Sequence, residues 1–361
     1  MWMTALNFPW EENSPEPLID LCARQVVCHP YTFCVYFEPT GWKLKSDVAL
    51  PSEICEKLIS IWQDLDPSRL DDNFIEIFED LSVTRLKRAN LKGSNVSDWS
   101  IEVLLKHELV ELDITSCDKL NKQTVEYINQ RGAKLLSLIL GQSQNIFPVL
   151  ESSSMKDGSC PIVKQGYILN TPNLRRLVVR DLYYPMEPHF FALLLKPLHK
   201  LTHLDLSGCC FLNEMYYMQH LNYLVYLNLH AVQRIQDAIN VILGLKTLRF
   251  LDISQSNSRY GMFENPKSVL SSIVSNLPNL SGLDISGTNL AQSETFETED
   301  LDIIEPEDKE SKNEYELLCD IPGLQGRVKN PLEFLGLYNT NACRRNNIPA
   351  KIVSIYFVVN F

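Results

Sequence analysis

"LTHLDLSGC", residues 201–209, is the stretch that decides the fold, because its pattern returns along most of the chain. The pattern is L-x-x-L-x-L, with leucine or isoleucine at the last apolar position. Full copies begin at Leu109, Leu201, Leu224, Leu248, Leu280 and Leu332, and degenerate copies begin at Leu86, Leu135 and Leu174. Several successive copies start at intervals of about 25 residues, which is the period of a leucine-rich repeat.

The alternation within each copy predicts a short strand whose leucines face inward. One unit cannot bury its apolar face alone, whereas a stack of units does. We therefore predict an α/β leucine-rich-repeat solenoid, with a parallel sheet on the concave face and helices or turns on the convex face.

A small polar or thiol side chain recurs at the ninth position of the repeat, as at Cys117 and Cys209. We expect it to bond the backbone where the strand ends. Leu182 and Val232 are exceptions.

Long gaps between copies indicate surface loops. Within the last gap, Glu294 to Glu316 holds eleven acidic residues and two lysines, a net charge of −9. Such a run predicts a solvated, disordered loop, and a site for a basic partner or for phosphorylation is the alternative. The predicted organisation is a disordered N-terminus (1–14), a helical docking region (15–80), leucine-rich repeats (81–290), an acidic disordered loop (291–328), a last repeat (329–350) and an atypical apolar tail (351–361).

Composition excludes several classes of function. The net charge of −12 argues against nucleic acid as a partner, since phosphate binding needs a basic patch. No window approaches 18 uninterrupted apolar residues and the N-terminus lacks a signal-peptide pattern, so we expect no membrane partner and a cytoplasmic or nuclear location. Ten cysteines without a C-x-x-C pair predict reduced thiols and no metal site.

Residues that could carry chemistry have a simpler structural interpretation. There is no nucleotide-binding glycine pattern, H-E-x-x-H or G-x-S-x-G. His199 and His203 are four residues apart, but His203 lies inside a strand copy, so solvent-facing side chains are favoured over metal ligands. One repeat position carries aspartate four times, which predicts a ladder on the concave face rather than catalytic pairs: Asp113, Asp205, Asp252 and Asp284. We expect a binding protein with no catalytic residue, metal or cofactor.

The segment before the first copy at Leu86 follows another rhythm. In "PEPLIDLCARQVV", residues 15–27, Leu18, Cys22 and Val26 are spaced four apart and form a stripe on one face of a helix, with Ile19 and Leu21 beside it. One interpretation is a capping helix that closes the open end of the solenoid.

A second helix is predicted within "ALPSEICEKLISIW", residues 49–62. Pro51 suits the first turn of a helix. Leu50 precedes it, and Ile54, Leu58 and Ile61 supply an apolar face.

In this order the two segments resemble a known pair of boxes. Leu18, Cys22 and Val26 are similar to the box by which substrate receptors bind elongin C. Leu50–Pro51 with Ile54 and Leu58 is similar to the neighbouring box that selects cullin two. With "TRLKRANLKG", "LVELDITSC", "LDISGTNL" and "PLEFLGLYNTNACRRNNIPA" after them, the boxes resemble the Zyg/Zer family of leucine-rich-repeat substrate receptors of cullin-two RING ubiquitin ligases, more closely its Zer branch. The resemblance covers roughly residues 15 to 350.

The resemblance implies a non-enzymatic adaptor that bridges elongin B, elongin C and cullin two with its RING subunit to substrate proteins. Leu18 would anchor in an apolar pocket of elongin C, with Cys22 and Val26 packing beside it. Leu50 and Pro51 would contact cullin. The resemblance also allows a homodimer through the repeat array.

Family members continue into armadillo-like repeats that recognise proteins beginning with glycine. After "NNIPA" this chain has "KIVSIYFVVNF" instead, so we expect the glycine-binding pocket to lie outside it. The rival hypothesis is a general leucine-rich-repeat scaffold that binds a partner on its concave face, with the N-terminal helices serving only as a cap. The two hypotheses differ in whether Leu18, Cys22 and Val26 face solvent or the repeats.

Overall fold

A computed structural model describes residues 17–38, 41–142, 145–147, 169–182, 190–209, 215–232, 235–256, 263–290, 332, 334–337 and 354–356. The predicted disordered N-terminus (1–14) and the acidic run (Glu294 to Glu316) lie outside the described residues, as do most of the last repeat and of the apolar tail. The predicted division into segments stays a prediction.

Among its described residues, the N-terminal region contains four α-helices, two 3-10 helices (Pro67–Arg69 and Glu76–Phe78) and a hairpin. Its elements are α1 (Leu18–Cys28), α2 (Pro30–Phe33), β1 (Cys34–Phe37), β2 (Gly41–Leu44), α3 (Ser52–Leu65) and α4 (Asp72–Ile75). Both predicted amphipathic helices are present, as α1 and α3. Pro51 directly precedes α3 as its N-cap residue rather than lying in its first turn.

A ten-stranded sheet follows, and its strands are neighbours in chain order. They are β3 (Arg88–Asn90), β4 (Glu111–Asp113), β5 (Ser137–Ile139), β6 (Arg176–Val178), β7 (His203–Asp205), β8 (Tyr226–Asn228), β9 (Phe250–Asp252), β10 (Gly282–Asp284), β11 (Phe334–Gly336) and β12 (Ser354–Tyr356). The strands from β3 to β11 are parallel and correspond one for one to the nine predicted copies, while β12 pairs antiparallel with β11.

The register explains why nine short strands are stable together. The middle residues of neighbouring strands pair with one another, as Leu204 does with Leu177 and Leu227. These central side chains, from Ala89 to Leu335, are all buried. Convex helices cover them: α5 (Asp98–Leu105), α6 (Lys122–Arg131), α7 (Phe190–Leu195), α8 (Ile239–Ile242) and α9 (Pro266–Asn276). The predicted leucine-rich-repeat solenoid is confirmed.

The ninth position of the repeat ties neighbouring repeats together. The thiol of Cys117 donates to the carbonyl oxygen of Leu91 at 3.0 Å, and that of Cys209 donates to Val179 at 3.3 Å. Each acceptor belongs to the preceding repeat. These cysteines therefore have the structural role that the repeat pattern predicts.

Candidate functional site

The first helix, α1, has one face in the core and one in solvent. Ala23, Val26 and Val27 are buried against α3. The carboxylate of Asp20 pairs with the ammonium of Lys57 on α3 at 2.8 Å. Since both contacts involve the same side of α1, that side is fixed and the opposite side is left to face outward.

The outward face of α1 presents apolar side chains in its first turns, with exposed Gln25 further along the helix. Leu18 is 76% exposed and Leu21 is 44% exposed, and the thiol of Cys22 is also exposed. Their spacing of three and four residues places them together on the helix surface. We call Leu18, Leu21 and Cys22 the exposed face of α1. The structure thus places two of the predicted elongin C residues, Leu18 and Cys22, in solvent, whereas the third, Val26, lies in the core.

The residues predicted to bind cullin also fall into a buried group and an accessible group. Leu50 is buried, and its backbone N–H donates to the carbonyl of Val83 at 2.8 Å. Leu58 is fully buried in α3. Pro51 is exposed and Ile54 is partly buried, so these two present accessible surface beside the N-terminus of α3.

Between the two predicted boxes lies a hairpin that the sequence interpretation did not include. Strands β1 and β2 pair antiparallel, and β1 exposes Val35, Tyr36 and Phe37. The signal was available in "CVYFEPTGWKL", where two aromatic, β-prone runs flank Pro39 to Gly41. Gly41 has a φ of 109°, a conformation that favours glycine.

A cavity of about 270 Å³ opens beside the buried face of α1. Its lining combines aromatic, aliphatic and polar residues, and the aromatic ones include Tyr31, Tyr36, Trp42 and Trp62. Tyr31 and Tyr36 each meet Trp42 edge to face, at centroid distances of 4.9 and 5.2 Å. Val26 lines the same cavity, so it belongs to a different surface from Leu18.

The thiols of this region differ in environment. Cys22 and Cys28 are exposed on α1. Burial raises the pKa of Cys34 and that of Cys55 to about 11, which keeps both as protonated thiols at neutral pH. Among the residues that the structure describes, no group of three or more histidines, cysteines or acids is placed to hold a metal ion.

On the concave sheet face, the recurring aspartates lie at the ends of four strands, of which only β9 and β10 are neighbours. One carboxylate oxygen of each accepts the backbone N–H two residues later, at 2.9 to 3.0 Å. The residues are Asp113, Asp205, Asp252 and Asp284. These bonds support the predicted structural role rather than a continuous ladder, and they explain why the position recurs, since the carboxylate shapes the turn that leaves each strand.

The two histidines considered as metal ligands are both exposed. His203 stacks on Tyr226 of the neighbouring strand, and His199 lies edge to face with His220. Partial burial lowers the pKa of His203 and that of His220, so both favour the neutral form.

In the described part of the chain, no helix is long and apolar enough to cross a membrane.

Comparisons with known proteins agree with the repeat pattern. The family model described as "Zer-1-like, Leucine-rich repeats" matches residues 192–340. The chain is 34% identical to "Protein zer-1 homolog" of Drosophila melanogaster over 342 residues, which is 93% of this chain and 42% of that protein. It is 32% identical to "Protein zer-1 homolog" of Homo sapiens over 364 residues, which is 95% of this chain and 45% of that protein. The chain therefore spans less than half the length of these relatives.

Two further matches are more limited. "Zyg eleven-related protein 1" of Caenorhabditis elegans is 36% identical over 163 residues, or 45% of this chain and 17% of that protein. Among solved structures, a leucine-rich-repeat protein of Leptospira interrogans aligns over 69% of this chain and 55% of its own, with 19% identity and a TM-score of 0.36.

Proposed function

This chain belongs with the zer-1 homologues among the Zer-1-like leucine-rich-repeat proteins, and we propose that it is a substrate-receptor or adaptor subunit of an elongin–cullin-two ubiquitin ligase. In this proposal it binds elongin C, and through it elongin B, while cullin two brings the RING subunit. The chain contributes no catalytic residue and acts in the cytoplasm or nucleus.

The observation that carries the proposal is the exposed face of α1. Leu18 is a large aliphatic side chain, and 76% of it is left in water at the first turn of a helix whose other face is firmly packed. An apolar stripe on a fixed helix suits a partner with an apolar groove. We therefore assign Leu18, Leu21 and Cys22 to direct contact with elongin C.

Val26 has an indirect role in this proposal. Because it packs between α1 and α3, it holds the helix at the angle that presents Leu18. The same division applies to the cullin contact. Pro51 and Ile54 provide accessible surface, while Leu50 and Leu58 hold α3 in place.

Co-expression with elongins B and C followed by size-exclusion chromatography tests the proposal. We expect the three chains to elute together, and cullin two to join the complex when it is added. Leu18→Asp should abolish co-elution because it places a charge in an apolar contact. Exposed Tyr223, which lies in the turn before β8, gives the matched control Tyr223→Asp, which should co-elute normally. Separate elution of the wild-type chain from elongins would refute the proposal.

We further propose that the substrates delivered by the assembled ligase begin with glycine, as the family resemblance implies. In this proposal the pocket that binds the glycine lies in another part of such receptors, outside the leucine-rich repeats. The alternative function is a general leucine-rich-repeat scaffold whose N-terminal helices only cap the array. The buried face of α1, with Ala23, Val26 and Val27 in the core, is the observation that favours it.

A further inference from the structure

Three aromatic side chains form a row on the concave face of the sheet. Tyr226, Phe250 and Phe334 are the first residues of β8, β9 and β11. The rings of Tyr226 and Phe250 are stacked, with centroids 5.0 Å apart and planes 7° apart. Those of Phe250 and Phe334 are also stacked, at 5.8 Å and 28°. We call these three residues the aromatic ladder.

Glycine at the intervening strand makes this ladder continuous. The first residue of β10 is Gly282, which pairs with Phe250 on one side and Phe334 on the other. A Cβ at Gly282 would collide with the ring of Phe250. The ring therefore lies across the glycine and reaches toward the next strand. All three rings are partly exposed, which leaves a stacked aromatic surface open on the concave side.

Beside the ladder lies a pair of carboxylates on neighbouring strands. Asp252 and Asp284 are two residues further along β9 and β10, on the same face as the ladder, and are paired in register. One oxygen of each caps its own turn. Within the described ranges, no lysine, arginine or histidine forms an ion pair with either one. Asp205 on β7, by contrast, is paired with Arg180, whose Nε lies 2.9 Å from its Oδ2.

Burial and a like-charged neighbour both oppose ionisation of Asp252. Burial raises the pKa of Asp252, and the neighbouring charge of Asp284 raises it further, despite opposing hydrogen bonds from Ser254 and the nearby imidazole of His230. Two like charges on adjacent strands, about 4.8 Å apart, repel each other. A cation placed over them would relieve that repulsion.

We propose that the concave face of strands β8 to β11 binds an extended, arginine-containing segment of a partner protein, with the aromatic ladder stacking on its side chains and the Asp252–Asp284 pair binding its guanidinium groups. This surface is distinct from the exposed face of α1, so the proposal does not depend on elongin docking.

The chemistry of the surface selects the ligand. A guanidinium group stacks flat on an aromatic ring and donates two parallel hydrogen bonds to a carboxylate, whereas an ammonium group does neither as well. The ladder crosses four strands, about 14 Å at about 4.8 Å per strand. That length matches about four residues of extended peptide at about 3.3 Å each. Nucleic acid is excluded at this surface by the two carboxylates, which would repel phosphates.

Fluorescence anisotropy of the full chain with a fluorescein-labelled hexa-arginine peptide tests the proposal at about 0.15 M salt, where exposed charges are screened as in cells. We expect saturable binding, with weaker binding of hexa-lysine and none of hexa-glutamine. The variant Asp252→Asn/Asp284→Asn should weaken hexa-arginine binding about tenfold or more, since each charged hydrogen bond is lost. Phe250→Leu keeps the apolar character but removes the ring face, and should weaken it about two- to fivefold.

Asparagine is a safe replacement at these positions. Asn228 already occupies the corresponding place on β8, and its side-chain oxygen accepts the N–H of His230 at 2.9 Å. The matched charge control is Glu305→Gln/Glu307→Gln, which neutralises two carboxylates in the acidic run and should change binding less than twofold.

A second measurement locates the peptide without relying on variants. A hexa-arginine peptide that carries a benzophenone group should label residues of β8 to β11 after irradiation, as read by mass spectrometry. Three outcomes would overturn the proposal: no saturable binding, equal loss in the two double variants, or labelling confined to residues 294–316. The last two would assign the affinity to the acidic run.

Discussion

Replacing Leu18 by alanine is the most direct test of whether α1 is a docking helix. The side chain is 76% exposed, so its removal takes almost nothing from the core of the free protein. Full burial of a leucine is worth about 1.5–3 kcal/mol. Burial of the exposed three quarters of Leu18 in a partner is therefore worth about 1–2 kcal/mol, which corresponds to about 5- to 30-fold in affinity.

Val26→Ala is the matched variant on the opposite side of the same helix. Val26 is only 6% exposed, and losing two methyl groups there should lower the free energy of unfolding by about 1–3 kcal/mol. Isothermal titration calorimetry with the elongin B–elongin C dimer gives the affinity of each variant. Differential scanning calorimetry of each variant alone gives its stability.

The expected pattern is a crossed one. Leu18→Ala should lose affinity and keep its melting temperature, while Val26→Ala should melt earlier and lose affinity only as far as its fold is weakened. The docking hypothesis fails if Leu18→Ala binds elongin C like the wild type, or if the wild type does not bind. In that case a lower melting temperature for Leu18→Ala would favour a purely capping helix.

Four further substitutions test the fold and its stability. Leu204→Asp should unfold the array in a thermal melt, because it buries a charge without a partner. Cys209→Ser should shift the melting temperature little, since a hydroxyl can make the same hydrogen bond as the thiol. A large shift for Cys209→Ser would assign the thiol another role. Gly282→Ala should displace the ring of Phe250 and weaken the near-ultraviolet circular dichroism of the aromatic ladder, and an unchanged spectrum would contradict the close packing. Burial lowers the pKa of His107 from its ordinary 6.5, so as the pH falls the unfolded chain binds a proton at this residue before the folded chain does. The free energy of unfolding should therefore decrease below about pH 6.5, by at most about 1.4 kcal/mol down to about pH 5.5. In urea denaturation at a series of pH values, His107→Gln should reduce this decrease, and an equal pH dependence in both proteins would show that other groups cause it.

The sequence predicts the solenoid well because every repeat must place an apolar side chain at the same position of its strand. Each copy needs a leucine that can stack on the copies beside it, so nine weak patterns reinforce one another. The registered stack from Ala89 to Leu335 is the result. The antiparallel strand β12 was not predicted, since it lies outside the repeat pattern.

The exposed face of α1 was predicted only in part, and helix geometry explains why. Successive residues turn by about 100° around a helix axis, so Cys22 lies about 40° from Leu18 and Val26 lies about 80° from it. A stripe with a spacing of four therefore turns across the helix surface. Leu21 lies about 60° to the other side of Leu18, which centres the exposed arc near Leu18 and moves Val26 toward α3. Without the position of α3, the sequence cannot show where that arc ends.

The capping and docking hypotheses are compatible because they use opposite sides of α1. The buried side of α1 packs on α3, and α3 in turn contacts β3, the first strand of the repeats. The carboxylate of Glu56 on α3 accepts the backbone N–H of Lys87, just before β3, at 3.2 Å. Further along, Asp72 accepts the N–H of Ser97 at 2.8 Å, at the start of α5. A partner on the exposed face of α1 would therefore be joined to the repeats through close-packed side chains rather than a linker. Close packing resists deformation, so a protein bound on the concave face would be held at a defined position relative to that partner, as the proposed receptor role requires.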